Sequence, residues 1–383
     1  MMKLNQQRLI DTFLELVQID SESFHEKKIH GFLVSRLKEL GCRVYVDKAG
    51  SAYNTDAPGN IIAFLPGTAK SKPVVLCSHM DTVVPGKGVK PVVKKDCITS
   101  DGTTILGADD KAGLAIILEV LRTLKEQTQV PYPPVEAVFT LTEETGMQGA
   151  KNLDYKKIKG REGLILDNEE VTELLVQGPA VNTIEVWIKG LASHAGVCPE
   201  KGISALEVAA YALSQMKLGR VDKETVANFG VVQGGKVTNV VMDEVYLKGE
   251  ARSLSDAKLA KQTAHMKACF EKAVKHFTKK IDGKVHKPQV KFVPFKRYPA
   301  VNVPRNNEMV KDILSAAKKL GVRVRAAASG GGCDANVLSG FGFTLPNLGV
   351  GCRNCHTLKE KLILKEFFQA FEITLAAVLA YRK

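Results

Sequence analysis

The sequence predicts an α/β protein: helices layered on a mixed, largely parallel sheet, interrupted by an inserted two-layer α+β module. Three observations predict it. Short, predominantly apolar runs such as 74–77 and 135–142 read as strands buried on both faces, and they alternate with helical segments, as in a parallel sheet covered by helices. Near Gly178-Pro179 the style changes: 182–189 alternates strictly, with Ile184, Val186 and Ile188 on one face. From Asn302 the first style returns. A chain of 383 residues exceeds what one core usually serves, so two domains are expected. They are placed at 1–179 with 297–383, and at 180–296.

In chain order, 6–17 and 26–40 have helical apolar spacing, and Gly41 supplies a stop. Strands are expected at 43–46, 60–65 and 74–77, a helix at 109–125, and strands at 135–142 and 164–167. The insert reads as strand 182–189, helix 204–216, strands 227–232 and 240–251, long helix 256–280 and strand 289–294. That β-α-β-β-α-β order suits a two-layer module. Helix 308–320, strands 322–327 and 344–348, and helix 365–381 complete the chain.

Composition narrows the function classes. Hydrophobic residues at 45% and charged at 25% exclude wholesale disorder. No apolar run reaches the roughly 18 residues of a membrane helix, since even 114–121 is broken by Glu119. Asp11, Glu15 and Asp20 sit within a helical pattern unlike a signal peptide, so a cytoplasmic location is expected. Much of the +13 net charge falls in 256–297, where lysines from Lys258 to Lys296 face only Asp256, Glu271 and Asp282. Without aromatic interleaving this reads as the solvated side of an amphipathic helix, and neither nucleic acid nor membrane is an expected partner. The eight cysteines are scattered and read as thiols rather than a disulfide framework. Cys352-Arg-Asn-Cys355-His356 spells a c-type haem attachment pattern, but that chemistry needs export and a second axial ligand.

Five patches place carboxylates and imidazoles where strands end or helices begin: His79-Met-Asp81 after 74–77, Asp109-Asp110 at a helix start, Glu143-Glu144 after 135–142, Asp167 after 164–166, and His356. Open α/β sheets set their sites at strand C-terminal ends. Adjacent carboxylates repel unless a cation or shared proton separates them. Two imidazoles with several carboxylates suit Zn²⁺, Co²⁺ or Mn²⁺, and a pair of metals about 3.5–4 Å apart needs a bridging carboxylate. His79, Asp109, Glu144, Asp167 and His356 supply such a set, leaving Asp81 and Glu143 spare.

The ordered strings SHMDTVVPG, SDGTTILGADDKAG, TEETGMQGA and the late His-Thr resemble the M20 family of co-catalytic zinc peptidases, most of all its peptidase T (tripeptidase) branch, over essentially the whole chain. The resemblance implies that Asp109 bridges two zinc ions, with His79 and Asp167 completing one site and Glu144 and His356 the other. Asp81 would orient His79 and Glu143 would be the general base. A cis peptide is expected after Asp109. The insert becomes a lid and dimerisation domain carrying Ser193-His194-Ala195-Gly196, with His194 stabilising the oxyanion across a homodimer interface. Asn239 and Arg252 would handle substrate, Arg252 through a bidentate grip on a carboxylate. Asp334 and Asn336 would lie in a glycine-rich loop lining the cleft. Two departures stand out: Cys333 replaces a usual Thr or Ser, and Cys352 and Cys355 bring thiols near a metal ligand. Asp at 167 leans towards the aminopeptidase side of the family. The implied activity is removal of the N-terminal residue from short peptides, tripeptides included. An N-acyl amino acid amidohydrolase or a carboxypeptidase is the alternative, separated by whether a free α-amine is required.

Overall fold

The computed structural model describes residues 4–126 and 129–381, and the chain divides into two compact units, Met1–Gly178 with Val301–Lys383, and Pro179–Ala300. In the first unit the main sheet runs, edge to edge, Arg43–Val46, Ile61–Leu65, Val135–Thr140, Val74–His79, Gly163–Asn168, Asn347–Gly349, Glu173–Gly178 and Val301–Asn302, with Arg325–Ala328 also paired to Glu173–Gly178. Four central neighbours, Val135–Thr140, Val74–His79, Gly163–Asn168 and Asn347–Gly349, are mutually parallel. Their C-terminal ends therefore open on one edge. The outer pairings are antiparallel, except that of Arg325–Ala328.

Helix Ala108–Glu126 packs on the parallel strands and is buried nearly all round, which its apolar composition requires. Glu119, the one acid inside its apolar run, is buried and takes a two-pronged grip from Arg8 (2.9 and 2.6 Å) on helix Gln6–Val17. Asn5 and Asn307 cap helices Gln6–Val17 and Glu308–Lys319, their side-chain oxygens accepting from Arg8 N and Met309 N. A small sheet orders Cys352–Arg353, Lys361–Ile363, Cys97–Ser100 and Pro91–Val93. It anchors both the segment leading to Asp109 and the turn leading to His356. No described helix is long and apolar enough to cross a membrane.

The second unit is a five-stranded antiparallel sheet, ordered Gly219–Arg220, Thr225–Gly234, Glu244–Ser253, Ala180–Lys189 and Gln289–Tyr298. Helices Ala205–Ser214 and Asp256–His276 pack on it. Ile184, Val186 and Ile188 meet Val245 and Leu247 of the neighbouring strand, and Leu259, Met266, Phe270 and Ala273 form the buried stripe of the long helix. The lysines of that helix occupy its other faces, as an amphipathic helix demands.

Several expected boundaries are corrected. The long helix ends at His276, and Lys279–Ile281 pairs with Lys284–His286 around Asp282-Gly283. Both turn residues have positive φ (47° and 80°), the geometry a two-residue hairpin with strand-matched twist needs. Strand 240–251 is Glu244–Ser253, 322–327 is Arg325–Ala328, and 344–348 is Asn347–Gly349. Strand Glu173–Gly178 and the small sheet were not expected; the small sheet's strands, of two to four residues, are too short to show a period, whereas the six residues of Glu173–Gly178 do alternate in burial. Asp334 and Asn336 lie in helix Asp334–Ser339 rather than in a loop. The expectation of scattered thiols is refined at one pair: Cys352 Sγ and Cys355 Sγ are brought against each other, and the other six cysteines are free.

Candidate active site

The C-terminal edge of the parallel strands collects the expected side chains of the first unit. His79 is the last residue of its strand and 2% exposed. Its Nε2 lies 3.1 Å from Asp109 Oδ1 and 3.7 Å from Asp167 Oδ1. The other Asp109 oxygen, Oδ2, lies 3.2 Å from His356 Nε2, which is also 2.9 Å from Glu144 Oε1. Two donor sets result, His79–Asp109–Asp167 and Asp109–Glu144–His356, and Asp109 belongs to both.

Long-range contacts aim each group. The peptide between Asp109 and Asp110 is cis, as expected, and neither residue has helical dihedrals. Asp110 turns away, accepting from Ser78 Oγ and from Gly113 N (3.2 Å), so it caps the helix while Asp109 faces the site. Glu360, 1% exposed, accepts backbone N–H from Leu106 (2.7 Å), Gly107 (2.8 Å) and Asp109 (3.1 Å), fixing the approach to the shared carboxylate. Asn347, on the neighbouring parallel strand, accepts from Asp167 N (2.9 Å) and donates to its carbonyl (2.7 Å).

Asp81 is fully buried and joins three parts of the site. Its Oδ1 faces His79 Nδ1 at 3.4 Å and accepts from Glu143 N (2.8 Å); Oδ2 accepts from Ser23 Oγ (2.6 Å) and Glu144 N (3.2 Å). The turn carrying Glu143 and Glu144 begins at Thr142, whose φ of 53° is unusual for a β-branched residue. Glu26 holds it there, accepting from Thr142 Oγ1 and Thr55 Oγ1, both at 2.7 Å. Glu26, Ser23, Asn347 and Glu360 were not singled out in the sequence. They lie in no motif, and only the fold brings them to the site.

Charge is crowded here. Burial pushes the Glu143 and Asp167 carboxyls well above the usual range, and it raises Glu144 against a hydrogen bond from His356. Burial alone would also raise Asp109, but the hydrogen bonds from His356 and His79 hold it well below the ordinary value. The same bonds from Asp109 and Glu144 lift His356 to about 10. Five carboxylates (Asp81, Asp109, Glu143, Glu144 and Asp167) thus crowd round two imidazoles. Carboxyls whose ionisation burial opposes, set beside imidazole nitrogens, are a donor set that a borderline divalent cation would stabilise in its charged form. A cavity of about 270 Å³ opens beside Asp109, Asp167 and His356 and is also lined by Cys352 and Cys355.

Asp334 and Asn336 are buried (2% and 1%). Asp334 accepts from Thr140 Oγ1 and leaves Oδ1 without a hydrogen-bond partner, and burial raises its carboxyl to about 6. Asn336 Oδ1 accepts from Cys333 N (3.0 Å), a helix-capping role. His194, Asn239 and Arg252 belong to the second unit. His194 is exposed in a turn bridged to Val240, and Ala195 N donates to the Asn239 carbonyl (2.9 Å). Arg252 donates from Nε and Nη2 to Glu250 (2.7 and 3.1 Å).

Comparison with known proteins agrees with this arrangement. The family model for "Peptidase family M20/M25/M40" matches residues 75–380. An uncharacterized protein, YqjE, of Bacillus subtilis is 41% identical over 376 residues, covering 98% of both chains. The crystal structure of aminopeptidase PepT from Bacillus cereus superposes with a TM-score of 0.92 at 41% identity, again over 98% of both chains. A tripeptidase from Staphylococcus aureus gives 0.92 at 38%, with the same coverage. The match spans both the motifs at the sheet edge and the inserted unit, and the chain belongs to peptidase family M20/M25/M40.

Proposed function

We propose that the chain is a two-metal aminopeptidase that removes the N-terminal residue from short peptides, tripeptides among them. The observation that carries this reading is the pair of donor sets sharing Asp109, beside a buried carboxylate, Glu143, that belongs to neither. The similarity to an aminopeptidase and a tripeptidase at 41% and 38% identity supports the substrate class.

His79 and Asp167 would hold one cation, Glu144 and His356 the other, with Asp109 shared; zinc suits the donors, and cobalt or manganese could replace it. Bound there, such a pair supplies Lewis acidity that polarises a peptide carbonyl and acidifies water. Glu143 accepts a proton from the attacking water and delivers it to the departing amine nitrogen, a role suited to a carboxyl whose proton affinity burial has raised. Asp81 keeps His79 oriented and, through the Glu143 and Glu144 N–H groups, holds the acidic turn in register with it. His194 belongs to this reading as the oxyanion stabiliser, contributed within a homodimer, and Asn239, Arg252, Asp334 and Asn336 as substrate-side residues. A substrate carboxylate at Arg252 would share donors that Glu250 now engages. A cytoplasmic setting completes the reading.

The test is hydrolysis of tri-alanine beside N-acetyl-tri-alanine, after chelation and after zinc or cobalt is restored. Cleavage of the free peptide alone, lost on chelation and regained with metal, is expected. Preference for the acetylated peptide would transfer the assignment to an amidohydrolase.

A further inference from the structure

The adjacent sulfurs of Cys352 and Cys355 lie in no part of the proposed mechanism, yet they border two members of one donor set. Cys352 is buried and begins the short strand Cys352–Arg353, which pairs with Lys361–Ile363, so the two sulfurs meet at the base of the turn that returns between them. Within that turn Asn354 and His356 have positive φ (54° and 65°). Asn and His are among the non-glycine residues that enter that region most readily, so the turn closes with little backbone cost. His356 follows Cys355 directly. On its other side, Cys352 Sγ lies 3.7 Å from Glu360 Oε1, the oxygen that accepts the Asp109 N–H. Cys355 is half-buried and lines the cavity beside Asp109 and His356, where a small molecule can reach it.

We propose that Cys352 and Cys355 are a reversible thiol–disulfide exchange site whose state sets the cation affinity of the Asp109–Glu144–His356 donor set. The proposal rests on the two-metal reading. The ligand is a low-molecular-weight disulfide. The Cys355 thiolate attacks one of its sulfurs and expels one thiol; the Cys352 thiolate then attacks Cys355 Sγ in the mixed disulfide and expels the second. Two protein thiols and one disulfide become one protein disulfide and two small thiols, and an excess of reductant reverses the exchange. The oxidised pair holds the turn that presents His356. In the reduced pair the constraint is gone, and a Cys352 S–H faces Glu360 Oε1 in competition with the Asp109 N–H. Both changes loosen the same donor set, at a cost on the order of the 10–100-fold in metal affinity that supporting residues command.

The experiment titrates chelator-stripped full-length protein with cobalt(II), followed by visible absorption, after equilibration with oxidised glutathione or with a phosphine reductant. Trypsin, which cuts after Arg353, reads the pair directly: oxidised protein releases peptide 354–359 still joined to the peptide ending at Arg353. The oxidised protein is expected to bind its second cobalt at least about tenfold more tightly than the reduced protein. The Cys352→Ser/Cys355→Ser variant should match the reduced form and ignore the oxidant. Equal affinity for two cobalt ions in every form overturns the switch and leaves the two-metal reading standing. Failure of the pair to interconvert also overturns the switch. Fewer than two cobalt ions in every form overturns both.

Discussion

Replacing Glu143 with Gln separates proton transfer from metal binding, because Glu143 contributes to neither donor set. The amide keeps the shape of the buried side chain, and the backbone N–H to Asp81 (2.8 Å) is untouched. What is lost is a group able to carry a proton, in a place where burial has raised the carboxyl's affinity for one. A positioned general base is worth about 10²–10⁴ in rate, or about 3–5 kcal/mol of barrier at 1.36 kcal/mol per tenfold. The variant should therefore lose about that factor in kcat on a tripeptide, with two metal equivalents retained by elemental analysis. Since the group acts in the transition state, kcat and kcat/KM should fall together. A kcat within tenfold of wild type at full metal content would refute the assignment of Glu143 as base. A loss that tracked metal content would instead make Glu143 a ligand.

Asp81→Asn strips the charge that faces His79 Nδ1 and weakens the acceptor for the Glu143 and Glu144 N–H groups. Calorimetric titration should show metal affinity reduced by about 10–100-fold, with activity recovering at high metal concentration; unchanged affinity would remove Asp81 from the positioning role. His30, buried with Nε2 lacking a hydrogen-bond partner, has its pKa lowered by burial against a weaker pull from Asp47. Below the ordinary value near 6.5 the unfolded chain binds the proton more readily than the folded one, so stability is lost as pH falls through about 6.5 and below. The Tm of chelated protein should drop between pH 7 and pH 5, and the drop should shrink in His30→Gln; identical slopes would refute it.

Much of the fold was legible in the chain. Predominantly apolar strands with polar ends marked the parallel centre of the sheet, and the switch to alternation at Asn182 marked the antiparallel unit, because burial on one face or two leaves different periods. The pieces that escaped were short or long-range. Strands Cys352–Arg353 and Lys361–Ile363 have too few residues for a period, and the opening residues of the Asp282-Gly283 hairpin, 279–280, were read as the end of a good helix. Its Asp-Gly pair was the available signal, and it outweighs helix propensity because both residues take positive φ at low cost.

The sequence by itself determined the chemistry on offer: carboxylates and imidazoles at the ends of predicted strands, in an order that resembles one peptidase family. What it could not determine from local pattern is which member of each acidic pair faces the site. Asp109 and Asp110 have the same side chain and the same propensity, yet one is shared by two imidazoles and the other turns back to Ser78 and Gly113. That choice is made by Glu360, some 250 positions away, gripping the backbone that leads to Asp109. Likewise Glu143 and Glu144 are sorted by Asp81 and by Glu26, and Asp167 is held by Asn347 across a strand pairing. Hydrogen bonds between residues remote in the chain exist only once the sheet has assembled, so the tertiary structure alone decides how identical neighbours are aimed.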